Sequence, residues 1–94
     1  MIMHRVTAIF KGRVQGVGFR ASTKMIAHEL GLAGYVQNMP DGTVKLVAEA
    51  EKSALERFLR IMKSKEILGE RIVENLDVSY GEATGEFNNF EIRK

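Results

Sequence analysis

The chain has 94 residues, 45% of them hydrophobic and 28% charged, with a formal net charge of +2. That length predicts one domain spanning residues 1–94, and the composition excludes a disordered chain. There is no cysteine, so disulfides, zinc-thiolate centres and thiol catalysis are excluded.

The net charge conceals an asymmetry. No acidic residue precedes Glu29, and residues 1–28 carry Arg5, Lys11, Arg13, Arg20 and Lys24. An anionic partner for this basic segment is the expectation, with chance clustering on a solvated surface as the alternative. The start of the chain lacks the apolar run and cleavage pattern of a signal peptide. No stretch is long enough to cross a bilayer, so a cytoplasmic protein is expected.

Val6, Ala8 and Phe10 alternate with Arg5, Thr7, Ile9 and Lys11, which predicts a strand with one apolar face. Residues 11–20, KGRVQGVGFR, follow, with Gly12, Gly16 and Gly18 close together. Phe19, Thr23, Ile26, Ala27 and Leu30 then recur at helical spacing. Gly31 suits the left-handed position after that helix, and Leu32 folds back onto its last turn. Tyr35 to Asn38 predict a second strand, Met39-Pro40-Asp41-Gly42 a turn, and Val44, Leu46 and Ala48 a third strand, making a hairpin. Ser53 with Glu56 predicts a capping box that opens a second helix, buried through Leu55, Phe58, Leu59 and Met62. Residues 64–71, SKEILGER, fit either an extension of that helix or a loop around Gly69. Ile72 to Tyr80 predict a fourth strand, with Leu76, Val78 and Tyr80 on one face and Gly81 and Gly85 interrupting it. Phe90 and Ile92 mark a short final strand. The order βαββαβ plus a terminal strand predicts an α+β fold, the ferredoxin-like split βαβ sandwich. In it an antiparallel sheet carries both helices on one face.

Function is concentrated in the glycine loop. The crossover through helix one makes strand two parallel to strand one, so both strands end at the same rim. Asn38 is therefore predicted beside the loop, about twenty positions away in sequence. Three glycines let the backbone curl into a nest at a helix entry, which binds anions. Arg20 sits near the start of that helix, where the dipole disfavours a cation; a bound anion, gripped bidentately, would compensate. The competing reading is a tight crossover, with Arg20 paired to a surface acid. No Gly-Lys-Ser/Thr follows, so this is not a Walker A loop, and the glycine spacing does not match a dinucleotide site. His4 and His28 read as surface or packing residues, Asp41 as a turn former, and the five methionines as core filler. The charges from Lys63 to Arg71 read as a solvated face.

Gly12-Arg13-Val14-Gln15-Gly16-Val17-Gly18-Phe19-Arg20 resembles the signature of the acylphosphatases. So do Ala27, Leu30-Gly31-Leu32, Gly34-Tyr35-Val36-Gln37-Asn38, Asp41-Gly42-Thr43-Val44 and the ending Phe90-Glu91-Ile92-Arg93. The resemblance implies hydrolysis of an acyl phosphate to a carboxylate and inorganic phosphate by in-line attack of water, and the ferredoxin-like fold. It implies that the backbone amides of Arg13, Val14, Gln15, Gly16 and Val17 cradle the phosphate, that Arg20 binds its oxygens, and that Asn38 orients the water. It implies neither metal nor organic cofactor. The expected partners are a small acyl phosphate and a phosphate or sulfate ion, with no membrane, no nucleic acid and a monomeric chain. The sequence departs from the family pattern at Ala21-Ser22 and Tyr35, where aromatic residues and tryptophan are common. It departs also at Glu66-Ile67-Leu68-Gly69-Glu70, in place of a Gly-Pro-rich turn, and at Ala50-Glu51, where a glycine often follows strand three. None of these removes a chemical group from the expected site. The alternatives are a non-catalytic anion-binding module and a nucleic-acid module of the same fold. Against the latter, Thr43-Val44-Lys45-Leu46-Val47 offers no aromatic residue for stacking bases.

Overall fold

The computed structural model describes residues 2–63 and 72–94. The elements are β1 (Met3–Arg13), α1 (Phe19–Glu29), β2 (Ala33–Asn38), β3 (Val44–Glu51), α2 (Lys52–Met62), β4 (Ile72–Glu82) and β5 (Phe90–Arg93). They form a ferredoxin-like α+β sandwich with one five-stranded sheet in the order β4-β1-β3-β2-β5. The two readings of residues 64–71 lie outside the described residues.

The sheet departs from the expected all-antiparallel arrangement. β1 pairs antiparallel with β3 and β4, and β2 antiparallel with β3, but β5 runs parallel to β2. The mixture arises because the chain leaves β4 at one edge and crosses the sheet to the other edge before β5 begins. Alternation along the strands sets the core face. Ala8 lies opposite Leu46, and Leu46 opposite Val36, and all three are fully buried. Phe19, Thr23, Ile26 and Ala27 of α1 and Leu55, Phe58, Leu59 and Met62 of α2 close over this face. Phe10 and Phe19 meet edge to face at 5.1 Å between centroids, joining the end of β1 to the start of α1.

Helix α1 ends as its sequence requires. Gly31 takes φ 72°, its N–H donates to the His28 carbonyl, and the Leu32 N–H reaches the Ala27 carbonyl at 2.9 Å. That pair of bonds is a Schellman motif, and Leu32 is buried beneath it. Helix α2 corrects the capping-box expectation. Its N-cap is Glu51, with no side-chain cap bond. Glu51 still pairs with Met3, so β3 runs directly into the helix and leaves Ser53 already helical. β4 likewise continues through Gly81 to Glu82, because Arg5 and His4 pair opposite those two residues.

The face away from the helices is partly covered by residues 83–89. Glu49, only 4% exposed, anchors this strap. Its carboxylate accepts bonds from the backbone N–H groups of Thr84 (2.9 Å) and Gly85 (3.0 Å) and from Arg5 Nε (2.8 Å). Arg5 also pairs with Glu86. Phe87 packs edge to face on Tyr35, with the Arg5 guanidinium 5.2 Å from its ring centre. Burial pushes the Glu49 carboxyl upward, yet the Thr84 N–H, the Arg5 guanidinium and the Gly85 N–H hold it below its ordinary value.

Candidate active site

β1 loses its regular pairing with β4 at a bulge between Lys11 and Gly12, and ends at Arg13. Residues 14–18 then turn the chain into α1. Val14 is 1% exposed and acts as the hydrophobic anchor of the turn. Gly16 and Gly18 take φ 74° and 77°, a region that strains any residue bearing a Cβ. Gly18 is the N-cap of α1, and the first turn holds no acidic residue. The amino end of the helix therefore keeps its positive dipole without a carboxylate of its own to neutralise it.

Arg20 lies in that first turn and is half-buried. Among the described residues it forms no ion pair, against the reading that gave it a surface acid; its Nη1 instead lies 3.4 Å from the Arg93 carbonyl. A cavity of about 170 Å³ opens here, lined by Val14, Gly16, Gly18, Phe19, Arg20, Ala21 and Ile92. It is smaller than the roughly 300–1,000 Å³ of a drug-sized ligand pocket and suits a small anion.

Asn38 ends β2 at the same rim. Asn38 and Phe10 both pair with Val44, so the ends of β2 and β1 lie in one row across β3. Asn38 shares the helix-side face with Val36 by strand alternation. Its Oδ1 is buried and has no hydrogen-bond partner among the described residues. Gln15 ties the loop to this region. Its Nε2 donates to the carbonyls of Met39 and Thr43, each at 2.8 Å. The Asp41 carboxylate accepts from the Thr43 hydroxyl (2.6 Å) and N–H (3.0 Å). Those bonds, the hydroxyl first, hold the Asp41 carboxyl below its ordinary range. Asp41 is thus a turn former, as expected.

Of the residues singled out in sequence, Val14, Gly16 and Arg20 line the cavity. Gln15 faces the β2–β3 turn, and Val17 packs against the core. Arg13 is exposed and lines a separate groove with Lys11, Asp41 and Glu74. His4 sits near the opposite end of β1 and His28 in the last turn of α1, neither of them lining the cavity. Ile92 was missed, because nothing local to β5 reveals that it lies beside β2. Among the described residues no group of three or more His, Asp and Glu side chains is placed to hold a metal ion, and no helix is long and apolar enough to cross a membrane.

These features define a ferredoxin-like α+β protein with an anion-sized, arginine-bearing cavity where its first crossover begins. The acylphosphatase family model matches residues 6–92, and the chain belongs to that family. An acylphosphatase of Thermus thermophilus is 51% identical over 83 residues, covering 88% of this chain and 92% of that protein. One from Dehalococcoides mccartyi is 40% identical over 92 residues, with 97% and 99% covered. The crystal structure of the Bacillus subtilis acylphosphatase superposes with a TM-score of 0.89 at 33% identity, covering 97% of this chain and 99% of that one. The protein is an enzyme, a hydrolase of acyl phosphates.

Proposed function

We propose that the hydrolysis takes place at the β1–α1 cavity. Arg20 binds the phosphoryl oxygens, the amides of Arg13, Val14, Gln15, Gly16 and Val17 cradle them, and Asn38 orients the attacking water. The observation that carries this reading is the Asn38 Oδ1, buried and unpartnered among the described residues, which does not line the cavity but is linked to the loop that does through Gln15. A carbonyl oxygen in that state has unused capacity to accept a hydrogen bond, and a water that donates to it presents a lone pair elsewhere.

The reaction asks little of the protein. The water oxygen bonds to phosphorus while the bond from phosphorus to the acyl oxygen breaks. The carboxylate leaves with the electron pair and needs no protonation, and the proton of the water passes to a phosphate oxygen of the substrate. What remains is to fix the phosphoryl group, stabilise its equatorial oxygens and place the water in line. Hydrogen bonds to a charged group contribute about 1.5–3 kcal/mol each. Several of them together with Arg20 reach the ~8 kcal/mol at the low end of enzymatic acceleration. The reading takes residues 1–94 as one monomeric cytoplasmic domain, with phosphate as product and sulfate as its mimic, and without a cofactor.

The test is hydrolysis of benzoyl phosphate in the presence of a chelator. Arg20→Ala and Asn38→Ala are expected to keep the far-ultraviolet circular dichroism of the parent while kcat/KM falls on the order of 10²–10³-fold. Parent-level turnover in either variant overturns the assignment.

A further inference from the structure

Six large hydrophobic side chains stand exposed among the described residues, and two of them, Met25 (59%) and Ile92 (39%), border one groove. This open groove of about 500 Å³ runs between α1 and the edge strand β5, lined by Ala21, Lys24, Met25, His28, Glu29 and Ile92. Most of the surface it presents is carbon. Its place follows from two periodicities. Ala21, Met25 and His28 succeed one another along one stripe of α1. Ile92, paired with Val36, points to the helix side of the sheet at its edge, where no further strand among the described residues covers it.

The groove is continuous with the phosphate cavity. Ala21 and Ile92 line both. A phosphoryl group held by Arg20 has its acyl substituent leaving in some direction, and this apolar groove shares two walls, Ala21 and Ile92, with the cavity that would hold the phosphoryl group. We propose that the groove is the acyl subsite, and that the enzyme favours acyl phosphates whose acyl group is an apolar chain or ring long enough to reach Met25. The inference rests on the placement of the phosphoryl group proposed above. Ala21 and Met25 are one turn apart, roughly 6 Å along the helix axis. A hexanoyl chain covers that distance, a benzoyl ring covers most of it, and an acetyl group does not. The departure at Ala21-Ser22 belongs to the same picture, since a small residue at 21 keeps the passage between cavity and groove open.

The experiment compares kcat/KM for acetyl, hexanoyl and benzoyl phosphate in the parent chain, in Met25→Glu and in Met25→Leu. Each fully buried methylene contributes about fourfold, and a half-exposed one about twofold. The hexanoyl-to-acetyl ratio of the parent is therefore expected on the order of tenfold. Met25→Glu should lower that ratio about fivefold or more, and Met25→Leu should restore it. The ratio removes the repulsion that a new carboxylate exerts on both phosphates alike. Equal kcat/KM for acetyl and hexanoyl phosphate in the parent, or a Met25→Glu variant that lowers all three substrates equally, overturns the acyl subsite and leaves the phosphoryl site standing. A parent chain that turns over all three substrates at rates unaffected by Arg20→Ala overturns the phosphoryl site and the subsite with it.

Discussion

Asn38 Oδ1 is a buried acceptor that folding leaves without a protein partner among the described residues. Such a group costs on the order of 1–3 kcal/mol in a small domain, so its presence needs a reason beyond packing. The neighbouring polar groups make the contrast. Gln15 Nε2 finds two carbonyls, and the Asp41 carboxylate finds both the N–H and the hydroxyl of Thr43. Four positions before Asn38, Gly34 shows the opposite regime, in which sterics leave no latitude. It takes φ 150°, and a Cβ there would lie 1.9 Å from the Val47 carbonyl oxygen and 2.9 Å from the Ala48 Cα. Neither backbone atom can yield without separating β2 from β3. Gly34→Ala is expected to destabilise the fold by about 3 kcal/mol or more, read as a lowered urea midpoint. A midpoint equal to that of the parent would show that β2 accommodates the methyl group.

The strap over the second face belongs to the scale of elements. Alternation along β3 points Glu49 away from the helices, and nothing in the sequence around it marks the side chain as buried. The strand reading was right and the burial was not legible, because it is imposed by Thr84 and Gly85 from a distant, polar segment. The Glu49 carboxyl is held below its unfolded value, so its contribution is fully present above about pH 4.3 and is lost as pH falls through the folded value. Glu49→Gln removes the charge that these donors face. Hydrogen bonds to charged groups are worth about 1.5–3 kcal/mol, and the variant is expected to lose on the order of 2 kcal/mol at pH 7. Its stability should also decline less steeply than that of the parent between pH 5 and 3, as followed by urea titration at each pH. Parallel declines would place the acid sensitivity elsewhere. The capping box failed for a related reason. Ser53 and Glu56 have the spacing, but the β1–β3 ladder extends to Glu51 and decides where the helix begins.

For the whole molecule, topology is what brings the residues of the candidate site together. The glycine loop and Asn38 were each visible as residues; their shared rim followed from the crossover that makes β1 and β2 parallel, and the common partner Val44 bears it out. The cavity wall contributed by Ile92 was not visible, since it depends on a parallel edge pairing over which alternation within Phe90–Arg93 has no say. Charge also acts at this scale. Every charged residue before Glu29 is basic, so the segment that builds the cavity presents a positive field to an anionic substrate. The screening length shrinks from about 30 Å at 0.01 M salt to about 8 Å at 0.15 M. Over that range kcat/KM for acetyl phosphate is expected to fall about threefold in a salt whose anion does not compete for the site. A salt-independent value would show that the field does not guide substrate approach.

The position of β1 has a kinetic consequence. Val6 pairs with Ala48 on one side and with Tyr80 on the other, so the strand that leads into the glycine loop has no sheet neighbour close to it along the chain. Long stretches of chain must be brought together before this strand is secured on either flank, which slows the search for the native state relative to a helical bundle of equal length. Regain of turnover after dilution from denaturant should therefore coincide with global refolding, with no active species preceding it.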